Sequence, residues 1–272
     1  MQDTPTLTDR RALSRNRARA DSGRGMFLQE AAADEIQDRL SLVNRSFTKI
    51  AIVTGFPEVW ARYFPSATIV PDDDTLSLTT ESHDLVIHGL CLHWANDPVG
   101  QLIQCRRALQ PDGLFMSIGF GGQTLHELRA CLGQAESEIT GGLSPRVVPM
   151  GEIRDMGALL QRATLAMPVA DSLPLIATYE SAWHLMRDLR AMGEGNALSM
   201  RQRRGTRPSV LTRAAELYAQ EFMSEGRMLA TFEMIVMTGW APDDSQPKPL
   251  RPGSAVTRLS EALGTKEASL KD

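Results

Sequence analysis

The stretch KIAIVT at 49–54, closed by Gly55 and followed by Pro57, constrains the fold more than any other part of this chain. It is apolar almost without interruption and too short for a buried helix, which fits a strand covered on both faces, as in a parallel sheet. Pro57 then opens a helix over PEVWARYF, because proline suits a first helical turn. Short strands are expected at Thr68–Val70 and Asp84–Ile87. Asn96 or Asp97 caps the next helix, which has Pro98 just inside it and runs to Leu109 before Pro111, Asp112 and Gly113 stop it. Leu114–Ile118 reads as a further strand. Strand, helix and strand in this order make right-handed crossovers and an α/β fold.

Upstream, residues 1–25 form an arginine-rich arm or a first helix. Phe27, Ala31, Ile36, Leu40 and Val43 recur at helical spacing, so an amphipathic helix completes an N-terminal segment of 1–45. Downstream, helices are expected over Thr124–Ile139, Asp155–Ala163, Ser181–Met192 and Pro208–Phe222, with one or two strands in Pro168–Tyr179. The alternation in Met228–Thr238 suits a late, antiparallel strand. The main domain is thus 46–242, with a helical insertion at about 181–222, and 243–272 reads as an extended strap and disordered tail.

A formal charge of −4 and a pI near 5.8 give no general attraction to nucleic acid, and no nucleic-acid partner is expected. Two local clusters run against that balance: Arg10, Arg11, Arg15, Arg17, Arg19 and Arg24, and then Arg201, Arg203, Arg204 and Arg207. Such runs are mostly solvated faces; the other reading is a docking surface for an acidic partner. Cys91, Cys105 and Cys131 are odd in number and form no C-x-x-C pair, so neither a disulfide framework nor a structural zinc site is suggested. No apolar run reaches the length of a membrane span and no signal sequence is evident, so a cytoplasmic location is expected. His88 and His93 lie five apart after a strand, with Asp84 and Asp97 as conceivable co-ligands. Two histidines without a clear carboxylate partner usually mean hydrogen-bonded packing, and no metal is expected.

A set of longer strings carries a resemblance: LCLHWANDPVG (90–100), CRRALQPDGLF (105–115), GGQTLHELR (121–129), GGLSPR (141–146), MGALLQRA (156–163), MRDLRAMGEGNAL (186–198), TFEMIVMTGWAP (231–242) and KPLRPGSA (248–255). Together they resemble the methyltransferase-like assembly factors of respiratory complex I. More distantly they resemble the malonyl carrier protein methyltransferases of biotin synthesis. The resemblance implies a Rossmann-like class I methyltransferase fold, with a seven-stranded, mostly parallel sheet and a reversed last strand. It implies S-adenosylmethionine as cofactor, with Thr54, Gly55, Asp72 and His88 on the cofactor side and His93 where such enzymes face their substrate. Trp94 reads from its own chemistry as a core or interface anchor, and Arg146 either as a fork for an anion or peptide carboxylate of a substrate or partner or as a residue that holds its turn. Three functions follow from it: methyl transfer to a protein or carrier, hydroxylation of an arginine in a complex I subunit, or non-catalytic assembly of such a subunit. The partner in the last two is a protein client, an iron–sulfur subunit of complex I.

The residues depart from that pattern at the first strand. A class I methyltransferase places Gly-x-Gly there, because only glycine lets backbone approach the cofactor so closely; here the sequence is Thr54-Gly55-Phe56-Pro57, and proline excludes positive φ. Asp84 follows 29 positions after Gly55 (84 minus 55), whereas two helices, two strands and their connections need roughly 45–50 residues. One strand–helix unit is therefore missing, and the sheet is shortened between the family's first and fourth strands. IVPDDDTLSL then resembles the family's third strand, Asp72 matches the residue near the adenine, and nothing matches the ribose carboxylate. Leaving the buried hydroxyls unmet costs ~1–3 kcal/mol each, which argues against tight cofactor binding. Asp72, Asp73 and Asp74 also fit a plain solvated turn after Pro71.

Overall fold

The structure, a computed structural model, describes residues 6–247 together with Glu261 and Gly264. In chain order its elements are α1 (Arg10–Arg17), α2 (Phe27–Leu42), β1 (Ile50–Thr54), α3 (Pro57–Tyr63), β2 (Thr68–Val70), β3 (His83–Gly89), a 3-10 turn (Leu92–Trp94), α4 (Pro98–Ala108) and β4 (Leu109–Phe120). There follow α5 (His126–Thr140), α6 (Ile153–Arg162), β5 (Ala166–Tyr179), α7 (Ala182–Ala191), α8 (Pro208–Glu221), β6 (Met223–Ser224) and β7 (Arg227–Trp240). Residues up to Pro242 form one compact unit. In the next unit, Asp243 accepts from the backbone N–H and hydroxyl of Ser245 in a short turn. The strap and tail expected over 243–272, and the KPLRPGSA string, lie almost wholly outside the described residues. Among the described residues no helix is long and apolar enough to cross a membrane.

The seven strands run β2-β1-β3-β4-β7-β5, with the short β6 on β7. β1 sits between two parallel neighbours, Ile52 opposite Ile69 of β2 and Ile87 of β3, and β4 continues the parallel set. β7 is antiparallel to both β4 and β5, so the sheet is mostly parallel with its last strand reversed, as the Rossmann-like reading required. Strand periodicity divides the core between the two faces. Ile52, Leu85, Ile87, Met116 and Ile118 pack beneath α2, α3, α5, α7 and α8, whereas Ala51, Val53, Val86, Phe115 and Met237 pack beneath α4 and α6.

Local chemistry sets the element ends. Pro57 occupies the first turn of α3. The Asp97 side chain accepts from the Gly100 N–H to cap α4, with Pro98 next to it. α5 ends on Gly141 at φ 71, the left-handed closure that favours glycine. α4 ends one residue before the expected Leu109, which turns extended at ψ 140 and starts β4. The Pro111-Asp112-Gly113 turn is thereby absorbed into a strand, with Asp112 taking a positive φ of 57. The region 168–179 forms one strand, not two.

Between β1 and β3 the chain makes one helix and one three-residue strand, which is the missing unit the spacing predicts. β2 bonds directly to β1, Ala51 opposite Thr68, because with one unit gone the free edge of β1 has no other strand to take. Asp72 therefore follows the strand beside the glycine loop. α1 packs apart from the two main cores, with Ala12 and Leu13 against Trp94, Val148, Ala197 and Leu198. Asp9 caps it through Ala12 N–H and binds Arg201, so the two arginine clusters of the sequence meet on one surface.

Candidate functional site

The sheet connections diverge on either side of β1, and open α/β sheets bind ligands outside the carboxyl ends of the strands at such a point. Thr54, Gly55 and Asp72 do come together there, and a residue that the sequence reading left unassigned stands among them. The Arg17 guanidinium of α1 donates to Asp72 through Nη1 to Oδ1 at 2.6 Å and through Nη2 to Oδ2 at 3.0 Å. Arg10 adds Nη2 to the Asp72 carbonyl at 2.6 Å and Nη1 to Oδ2 at 3.4 Å. A Cβ built on Gly55 would lie 2.3 Å from Arg17 Cζ, so the glycine does permit a close approach, and Arg17 makes it. The same guanidinium lies 5.8 Å from the Phe56 ring centroid, within cation–π range.

Burial opposes ionisation of Asp72, but the hydrogen bonds and charge of Arg17, then those of Arg10, outweigh it and hold the carboxyl at about 2. Burial likewise works against the charged form of Arg17, and Asp72 overcomes it, so Arg17 is held more firmly protonated than usual. Arg17 fills the cradle at Gly55, while a cavity of about 550 Å³ remains beside it along Thr54, Gly55, Val70 and Asp72. The glycine cradle holds a guanidinium, and both oxygens of the carboxylate beside it accept from arginine.

His88 stands behind that turn, fully buried, with Nε2 2.7 Å from Gln101 Oε1 and Nδ1 3.5 Å from Cys91 Sγ. Burial lowers its pKa, which favours the neutral ring. Gln101 Nε2 reaches the carbonyls of Asp73 at 3.1 Å and Asp72 at 3.4 Å, so His88 braces the acidic turn from inside through Gln101. The carboxylates considered as its co-ligands are engaged elsewhere. Asp84 accepts from the Thr48 and Lys49 N–H groups, and Asp97 caps α4.

His93 and Trp94 sit on the 3-10 turn after β3 and share a partner that the sequence reading missed. Trp94 Nε1 donates to Glu194 Oε2 at 2.8 Å, and His93 Nε2 lies 3.2 Å from the same oxygen. Gly193, at φ 76, turns the chain after α7 and brings Glu194 into position. Glu194 Oε1 and His93 Nδ1 are buried without a hydrogen-bond partner among the described residues. Beside them opens an apolar chamber of about 230 Å³, whose wall includes Leu28, Trp94, Phe120, Leu128, Met192 and Glu194. Arg146 is also in that wall, but its Nε and Nη2 bind Glu136 at 3.1 and 2.7 Å, and its Nη1 binds Thr206 at 2.7 Å. It ties the 144–146 turn to α5.

The site therefore has two parts. Thr54, Gly55 and Asp72 meet Arg17 at one, and His93 and Trp94 meet Glu194 at the other. Arg17 escaped notice as one of many arginines in a polar arm. Glu194 lay inside MRDLRAMGEGNAL, the string most specific to the resemblance, where a lone Glu between glycines gives no chemical signal of its own.

Comparison with known proteins agrees with this architecture. A methyltransferase-domain family model matches residues 22–117. The zebrafish protein named arginine-hydroxylase NDUFAF5, mitochondrial, is 34% identical over 271 residues, which cover 89% of this chain and 83% of that protein. The Dictyostelium discoideum protein of the same name is 38% identical over 202 residues, covering 74% of this chain but 46% of that longer protein. A malonyl-[acyl-carrier protein] O-methyltransferase of Laribacter hongkongensis is 35% identical over 176 residues, covering 65% of this chain and 57% of the enzyme. Given the extent of its identity to the zebrafish protein, this chain belongs to the NDUFAF5 family and is built on a methyltransferase-like fold.

Proposed function

We propose that this chain acts on a protein client through an arginine side chain, and that it does so without S-adenosylmethionine. The observation that carries this reading is the Arg17 guanidinium, bound to both oxygens of Asp72 and packed against Gly55, where a methyltransferase would hold its cofactor. The name of the NDUFAF5 relatives supplies the arginine, and they match more of this chain, at 72–89%, than the carrier-protein methyltransferase does, at 65%. The resemblance to complex I assembly factors points to an iron–sulfur subunit of that complex as the client, met in the cytoplasm.

The test is a deletion strain in which assembled complex I is followed on native gels and the client's arginines by mass spectrometry. Loss of assembled complex together with loss of one added oxygen on an arginine supports client hydroxylation. Loss of the complex with the arginine unmodified in both strains favours the reading in which the chain only holds its client. Unaltered complex I, with loss of a methyl group elsewhere, would overturn both.

A further inference from the structure

We propose that the apolar chamber beside Trp94 is the receptacle for the client's arginine, with Glu194 as the carboxylate that receives its guanidinium. This inference rests on the protein-client reading above and adds to it a site and a residue. Four observations lead there, beginning with size. At about 230 Å³ the chamber is smaller than the roughly 300–1,000 Å³ of ordinary small-molecule sites, so it suits one side chain better than a nucleoside cofactor.

The second observation is what the wall lacks. Its other buried or half-buried polar groups are satisfied: Thr124 Oγ1 donates to the Glu233 carbonyl, Arg146 is held by Glu136 and Thr206, and the Asn196 side chain binds the Pro145 carbonyl and Leu198 N–H. Glu194 Oε1 is the one polar side-chain atom of the wall that is buried and has no partner among the described residues. A carboxylate has room for about four hydrogen bonds, and Trp94 and His93 use two on Oε2. What is missing is a donor, preferably a charged one.

Third, Glu194 is anchored before any ligand arrives, since the Trp94 indole fixes Oε2 and the side chain is only 11% exposed. Fourth, the remaining wall is apolar, with Leu28, Phe120, Leu128 and Phe232 around it. A three-carbon stem packs against such a surface, and a guanidinium is more weakly hydrated than an ammonium and loses less on entering it. Arg190 also borders the chamber, but on the exposed side, where water screens its charge. Arg17 is close enough for its charge to act on Glu194 but makes no hydrogen bond to it: its two terminal nitrogens bind Asp72, and its Nε is buried without a partner among the described residues.

The Trp94 indole N–H provides a direct readout, since it donates to the same carboxylate. The full-length protein, labelled with ¹⁵N, is titrated with N-acetyl-L-arginine amide and separately with N-acetyl-L-citrulline amide, a neutral isostere. The expected result is a saturable shift of the Trp94 indole signal with the arginine probe and at least ten-fold weaker binding of citrulline. Glu194→Gln should remove that preference, and Leu128→Trp, which fills the chamber without touching the carboxylate, should remove binding of both probes. Equal binding of the two probes, or arginine binding that survives both substitutions unchanged, would overturn the proposal. If complex I changes in the deletion strain but the two probes bind alike, the chamber assignment falls while the client reading stands. If arginine is preferred at Trp94 while complex I is unaltered by deletion, the chamber assignment stands and the client reading falls.

Discussion

The two ends of the site treat a buried carboxylate in opposite ways. At the cofactor end, Asp72 is 3% exposed and receives three side-chain hydrogen bonds from Arg17 and Arg10, all donated by the chain's own first helix. At the chamber, Glu194 is nearly as enclosed, yet one oxygen is left with no donor among the described residues. A folded chain normally satisfies its buried polar atoms, because an unmet one costs about 1–3 kcal/mol and more when charged. The Asp72 carboxylate is met from within the fold, although Arg17 Nε beside it is buried without a partner among the described residues. The Glu194 carboxylate keeps the capacity to take a donor, and that contrast between the two acids is why function is sought at Glu194.

The contrast can be broken most directly by removing Arg17. Arg17→Ala leaves Asp72 buried with only the longer Arg10 contact and should destabilise the protein by about 3 kcal/mol, read as a lower urea midpoint at unchanged slope. A loss below half that figure would make Arg17 an ordinary surface arginine. Acid should act on the same pair. Asp72 is depressed from 3.8 to about 2 in the folded protein, so its contribution is complete above pH 4 and is lost as pH falls through about 2. Linkage sets that contribution at roughly 2 kcal/mol, and urea midpoints taken from pH 5 down to 2 should fall more steeply in the wild type than in Arg17→Ala. Gly55→Ala comes next. Its Cβ would lie 2.3 Å from Arg17 Cζ, so it should cost about 2 kcal/mol in the wild type and almost nothing in an Arg17→Ala background, a non-additivity that measures the contact itself. The smallest effect belongs to the other end. Glu194→Gln removes a charge that the fold does not fully satisfy, and should change stability by less than about 1 kcal/mol while abolishing arginine preference at Trp94.

How much of this was legible in the sequence differs between the same two regions. The sheet was readable because its strands are short apolar runs, bounded by Gly55, Pro57 and Pro98, that leave no helical alternative. The shortened region was readable from spacing, since no packing can fit two helices and two strands between Gly55 and Asp84. The lateral position of β2 was not, because sequence order does not say which edge a strand takes once its usual neighbour is missing. Asp72 was visible as an acid after a strand, but its partner lay 55 residues upstream in an arm whose composition reads as solvated. Glu194 and Trp94 meet across 100 residues, and neither carries a periodicity or a motif with a stated chemistry. Contacts of that kind arise from the fold and are invisible to any local window.

On this reading the first helix, through Arg17, occupies the place of the cofactor. Calorimetric titration of the purified wild-type protein with S-adenosylmethionine and S-adenosylhomocysteine tests it most directly. No saturable heat is expected from either compound. Saturable binding at micromolar concentration would contradict it, because both ligands would then have to displace a guanidinium held by two charged hydrogen bonds, and methyl transfer would return as the leading function.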